Sequence, residues 1–91
     1  MERLFNCQEI YYAELTDTFA GEANYSWVTR FKVHARSRLG AIRMIARATG
    51  YRYRKQYDLG DMARYDSHSG ATCVFLSDWD AQDEVYKVES I

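Results

Sequence analysis

One stretch, residues 30–55 (RFKVHARSRLGAIRMIARATGYRYRK), limits what this chain can fold into. It holds a single strongly helical run with alternating segments on either side. Ser37 precedes the run, and its hydroxyl oxygen is placed to accept from a first-turn amide that otherwise has no partner. Gly50 follows it as a C-terminal cap. Leu39, Ile42, Ile45, Ala46 and Thr49 recur at helical spacing and predict a face packed on Trp27, Phe31 and Val33. At about 100° per residue, Arg36, Arg43 and Arg47 gather on the opposite flank, with Gly40 near them. A chain with one such helix and several alternating segments buries its apolar faces most simply by laying the helix across one face of an antiparallel sheet.

The alternating segments are readable one by one. Residues 5–16 carry Tyr11, Ala13 and Leu15 on one face and Ile10 and Tyr12 on the other. Residues 16–24 have loop composition, with Gly21 as the flexible point. In residues 25–35, Tyr25, Trp27, Phe31, Val33 and Ala35 alternate toward the core, and Ser26, Arg30, Lys32 and His34 point outward, onto a sheet face expected to be wet. These two segments predict a long hairpin. Residues 51–57 alternate Tyr51, Tyr53 and Tyr57 against Arg52, Arg54 and Gln56. Residues 58–61 form a turn, residues 62–66 a short strand, and residues 66–70 a hairpin turn ending at Gly70. Residues 71–77 form the best central strand, with Cys73 and Phe75 opposed to Val74 and Leu76. In the tail, Val85, Val88 and Ile91 at a spacing of three suggest a short helix, with a final strand as the alternative. The expectation is one α+β domain over residues 1–91, ordered β-β-α-β-β-β or β-β-α-β-β with an acidic, helical tail, its single helix on a four- to five-stranded antiparallel sheet.

Ninety-one residues suffice for one domain with one modest core. No run approaches the roughly 20 apolar residues that span a bilayer. The opening MERLFNCQEI has an acid at position 2 and no long apolar run, so a cytoplasmic protein without a signal peptide is expected. Two cysteines, Cys7 and Cys73, are too few for a disulfide framework, and both sit in apolar segments as buried reduced thiols. No CxxC occurs, and His34 and His68 have no ligand spacing to either cysteine, so neither a metal nor a cofactor is expected.

The net charge of −1 conceals a segregation. Residues 30–55 hold nine of the twelve Lys and Arg residues and no acid; the remainder holds thirteen acids against Arg3, Arg64 and Lys87. The plainest explanation is neutralisation within one domain.

The segments ELTDTFAGEANYSWV, ARSRLGAIR and YDLGDMARYDSHSGATCVF resemble a group of small proteins of phages and other mobile elements. In these, an ANYxWVxR strand (Ala23 to Arg30 here) leads into a helix and then a YDxGDxxRYD hairpin (Tyr57 to Asp66 here). The similarity spans about residues 9–77. Mobile-element proteins of this size often block host nucleic-acid defences, and the anti-CRISPR proteins share the size and the single-helix α+β build. The resemblance therefore implies an inhibitor that binds a host protein or ribonucleoprotein complex; it supplies no residue roles.

Two surfaces are candidates for such binding. Asp78, Trp79, Asp80, Asp83 and Glu84, which Asp58, Asp61 and Asp66 could join, would present negative charge around an aromatic anchor and suit the basic groove of a partner that holds nucleic acid. Alternatively, Arg30, Lys32, Arg36, Arg43, Arg47, Arg52 and Arg54, with Tyr51 and Tyr53 to stack bases, would grip phosphates or an acidic partner. The second surface belongs to a nucleic-acid-binding accessory protein; a phage assembly factor is the remaining reading. Catalysis is not expected. Ser67-His68-Ser69 is a turn sequence, Asp61 and Asp66 lack a third metal ligand, and the phosphate-loop and dinucleotide fingerprints are absent.

Overall fold

The computed structural model describes residues 9–78 and 88–90. Strands β1 (Glu9–Phe19) and β2 (Glu22–Ala35) form the hairpin, helix α1 spans Arg38–Thr49, and β3 (Tyr53–Asp58), β4 (Met62–Ser67), β5 (Thr72–Ser77) and β6 (Val88–Ser90) follow. The sheet order is β3-β4-β5-β1-β2-β6. All neighbours are antiparallel except β6, which lies parallel to β2. The α+β architecture is the expected one, with six strands rather than four or five. Val88 lies in a strand, not in a helix; Val85 and Ile91 are outside the described residues. No helix of the described residues is long and apolar enough to cross a membrane.

The helix ends are as expected. The Ser37 hydroxyl accepts from the Gly40 amide, and Gly50, at φ 83°, donates its amide to the Ala46 carbonyl at 2.8 Å. One sheet face carries Tyr11, Ala13 and Leu15 of β1, Phe31, Val33 and Ala35 of β2, Ala63 and Tyr65 of β4, and Val74 and Leu76 of β5; Ala41, Ile42 and Ile45 of α1 complete this core. Leu39 departs from expectation at 55 % exposed, and Ala41 is fully buried in its stead. At about 100° per residue, Leu39 stands roughly 110° from the centre of the Ala41–Ile42–Ile45 stripe.

The expected loop at residues 16–24 is mostly strand. Its turn is only Ala20 and Gly21, both at positive φ (56° and 83°), between the paired residues Phe19 and Glu22. Two consecutive left-handed residues match the right-handed twist of the flanking strands, as in a type I′ hairpin turn. Beyond the turn, Ala23 pairs with Thr18 and Val28 with Thr16, so Asn24 to Trp27 bulge out opposite the single residue Asp17. That bulge removes Tyr25 and Trp27 from the core face, where alternation had put them; they are 48 % and 41 % exposed.

Candidate functional site

The sheet face away from α1 carries a row of directly paired residues across five strands. Arg30 faces Glu14, Glu14 faces Phe75, Phe75 faces Arg64, and Arg64 faces Tyr57. Arg30 donates from Nε and Nη2 to Glu14 Oε2, at 3.1 and 2.6 Å. Arg64 donates from Nε to Asp66 Oδ1 at 2.9 Å and from Nη2 to the Gly21 carbonyl at 2.8 Å, and its guanidinium lies 5.8 Å from the centre of the Phe75 ring. Arg64 thus ties the tip of the β1–β2 hairpin to β4. The face is less wet than expected: His34 is exposed and Lys32 half-buried, but Arg30 is buried.

The bulge is held by short polar side chains. Thr16, fully buried, accepts from the Tyr25 amide and donates to the Trp27 carbonyl. Asp17 accepts from the Asn24 side-chain amide and from both the backbone amide and the hydroxyl of Ser26. The Ser26 hydroxyl, followed by Asn24, holds the Asp17 carboxyl well below the usual carboxylate range. Tyr25, at φ 58°, sits in the left-handed region that a bulky residue rarely enters. Its hydroxyl donates to Glu14 Oε1 at 3.0 Å, and burial, then the charge of Glu14, push its pKa up to about 12.

Because the Asp17 carboxyl titrates lower folded than unfolded, its contribution is complete above its ordinary value of 3.8 and disappears as pH falls below that value. Wild type is expected to lose stability between about pH 5 and pH 2 more steeply than Asp17→Asn, judged by urea midpoints across that range. Identical acid limbs would show that the carboxylate does not hold the bulge.

The basic block is divided. Arg43 and Arg47 are exposed on α1, and Arg36 is exposed just ahead of its cap. Arg30 and Lys32 lie on the opposite side of the sheet, with Arg30 occupied by Glu14. Arg52 and Arg54 are exposed at the start of β3. Tyr51 and Tyr53 meet edge to face at 6.4 Å, but Tyr53 packs partly against the core, leaving Tyr51 the more exposed. Seven cations in one sequence block therefore do not form one surface.

Of the acidic candidates, Asp78 is exposed directly after β5; Trp79, Asp80, Asp83 and Glu84 lie outside the described residues. Met62 is paired with Ser77, so Asp61 and Asp78 come next at the same strand ends, both exposed. Asp58, the last residue of β3, is exposed and accepts from the Gly60 amide in the turn that follows. Asp66 does not join them, being paired with Arg64.

His68 is exposed, whereas Ser67 is buried and accepts from the Thr72 amide at 3.1 Å. Cys73 is a fully buried free thiol whose pKa burial raises. Cys7 lies outside the described residues. Among the described residues, no three His, Cys, Asp or Glu side chains converge as a metal-ligand group.

Glu14, Asp17, Tyr57 and Arg64 were not singled out by sequence reasoning. The Arg64–Asp66 pair was accessible to it, since residues two apart on a strand share a face. Glu14 and Arg30 were not, because their pairing depends on the register across the bulge. The quoted motifs acquire a physical meaning here: Asn24, Tyr25 and Arg30 of the first bind Asp17 and Glu14, and Arg64 and Asp66 of the second bind each other.

No protein-family model matches the chain, and no curated protein or solved structure matches it either.

Proposed function

We propose that this chain is a small mobile-element protein that binds a host nucleic-acid defence complex and inhibits it by protein–protein contact, in the manner of an anti-CRISPR protein. The resemblance in the ANYxWVxR and YDxGDxxRYD segments supplies the class. The observation that favours the acidic surface is the strand register: it sets Asp61 beside Asp78 at one exposed sheet end, with Asp58 at the end of the neighbouring strand β3. The chain then runs on into Asp80, Asp83 and Glu84, around Trp79. A complex that holds nucleic acid must present a basic groove, and complementary potential speeds encounter with it. The cations, by contrast, are spread over both sides of the sheet.

The test is inhibition of target cleavage by a panel of purified RNA-guided nucleases, with association rates measured on any nuclease that is blocked. Converting Asp61, Asp78, Asp80, Asp83 and Glu84 to amides is expected to slow association about tenfold or more; Asp61 and Asp78 are exposed, so changing these two is expected to leave the thermal melt unchanged. Converting Arg36, Arg43 and Arg47 to Gln is expected to do less. Inhibition abolished by the Arg changes but untouched by the amides would overturn the acidic surface and move binding to the cations. Failure to block any nuclease, combined with salt-sensitive retention of oligonucleotides, would replace the reading with nucleic-acid binding.

A further inference from the structure

Two adjoining clefts open on the uncovered sheet face, and they share Tyr57 and Arg64. The first, about 290 Å³, is polar, with Thr18, Arg54, Asp66 and Ser67 among its walls. The second, about 710 Å³, adds Leu59 and Phe75 and the carboxylates of Glu22 and Asp58. Small-molecule sites have volumes of roughly 300–1,000 Å³, so a ligand of modest size that spans both fits.

The two arginines are placed differently. Arg64 is fixed by Asp66, the Gly21 carbonyl and the Phe75 ring, and this uses only two of its five N–H groups. Arg54 is the extra residue where the β3–β4 register shifts between Tyr53 and Lys55, and it is exposed. A bulge re-aims the side chain it carries, here into the wall of the polar cleft. Within the polar cleft Asp66 offsets one of the two cations and leaves one positive charge for the phosphate, while the carboxylates of Glu22 and Asp58 stand in the second cleft. Tyr57 stands directly across the ladder from Arg64 and, with Leu59, offers an apolar bed for a flat ring; Phe75, on the far side of Arg64, lies under its guanidinium. Glu22 and Asp58 can accept from an exocyclic amine at the rim of that bed.

We infer that these clefts bind a nucleoside monophosphate, the phosphate held by Arg54 and Arg64 and the base lying on Tyr57 toward Leu59. An anionic head, a planar body and amine donors are the three features the walls call for, and a nucleotide with an amino-bearing base has all three. The site goes beyond the partner-binding reading and shares only Asp58 with it: it rests on Arg54, Tyr57 and Arg64, whereas partner contact is assigned chiefly to Asp61, Asp78 and the acidic segment after them.

Calorimetric titration of the whole chain with adenosine 5′-monophosphate, adenosine, phenyl phosphate and inorganic phosphate tests it. The nucleotide is expected to bind at least about tenfold more tightly than each of the other three, which lack the phosphate, the amine-bearing base, or the ring altogether. Arg54→Gln is expected to weaken the nucleotide about tenfold or more, and Tyr57→Leu to reduce it to the level of inorganic phosphate. Both residues are exposed, so neither change threatens the fold. Arg43→Gln, on the helix side of the sheet, is expected to leave the affinity unchanged. No binding of the nucleotide at millimolar concentration, binding no tighter than that of phenyl phosphate, or an Arg43→Gln loss equal to that of Arg54→Gln would each overturn the site. None of these results depends on whether a nuclease is inhibited.

Discussion

Ile45→Ala is expected to lower the free energy of unfolding by about 2–5 kcal/mol, the range for truncating a fully buried aliphatic side chain. Ile45 has no exposed surface and sits at the centre of the stripe that α1 presents to the sheet, between Ala41 and Ile42 and within the core cluster shared with β1, β2, β4 and β5. Helix and sheet are both held by their own hydrogen bonds, so neither can collapse far into the space left, and the cavity adds to the lost transfer energy. A domain of this size is stable by only roughly 5–15 kcal/mol, so the loss is a large share of the total. Leu39→Ala is the matching control. Leu39 belongs to the same apolar series in the sequence but is 55 % exposed, and its truncation is expected to cost less than about 0.5 kcal/mol. Urea unfolding monitored by helical circular dichroism measures both, and a reversal of the two values would mean that α1 is turned by about a hundred degrees.

Glu14→Leu is expected to cost about 3 kcal/mol, the lower end of what removing one partner of a buried ion pair costs. Arg30 is 7 % exposed and would keep its charge without the carboxylate that accepts from its Nε and Nη2. The lower end applies because the Glu14 side chain is 24 % exposed, so water can partly replace it. The same change removes the acceptor of the Tyr25 hydroxyl, at a residue already in a left-handed conformation. Pairing Glu14→Leu with Arg30→Met restores an uncharged strand pair, and the double variant is expected to regain most of the loss. A double-mutant cycle reads this directly: a coupling near zero would show that the two charges are independently solvated.

These two results probe different kinds of information in the chain. The helix was legible because its signals are local. Ser37 and Gly50 act on amides and carbonyls within one turn of themselves, and the spacing of Ile42 and Ile45 is a property of helix geometry alone. The opposed faces of β5, Val74 and Leu76 against Cys73 and Phe75, were legible for the same reason, since alternation on a strand needs no partner. Of the candidate binding residues, position along the chain was enough to mark Arg43 and Arg47 as one helix flank and Asp78 as the start of an acidic run.

Register was not legible, and the uncovered face depends on it. From the turn at Ala20 and Gly21, an unbroken ladder would have set Glu14 opposite Trp27. The three extra residues of the bulge bring Arg30 there instead, so Trp27 leaves the ladder for the exposed bulge and Arg30 becomes half of a buried ion pair. The same kind of long-range fact puts Asp61 beside Asp78, takes Asp66 away to Arg64, and places the cations of α1 and β2 on opposite sides of the sheet. By itself, then, the amino-acid sequence determined one capped helix, a set of strands and which side chains alternate along each, because those are properties of a few neighbouring residues. Only the tertiary structure decided which strand lies against which and at what offset, because a hairpin bulge stabilised by Thr16, Asp17 and Ser26 shifts every later pairing on its strand and leaves no periodic trace in the chain.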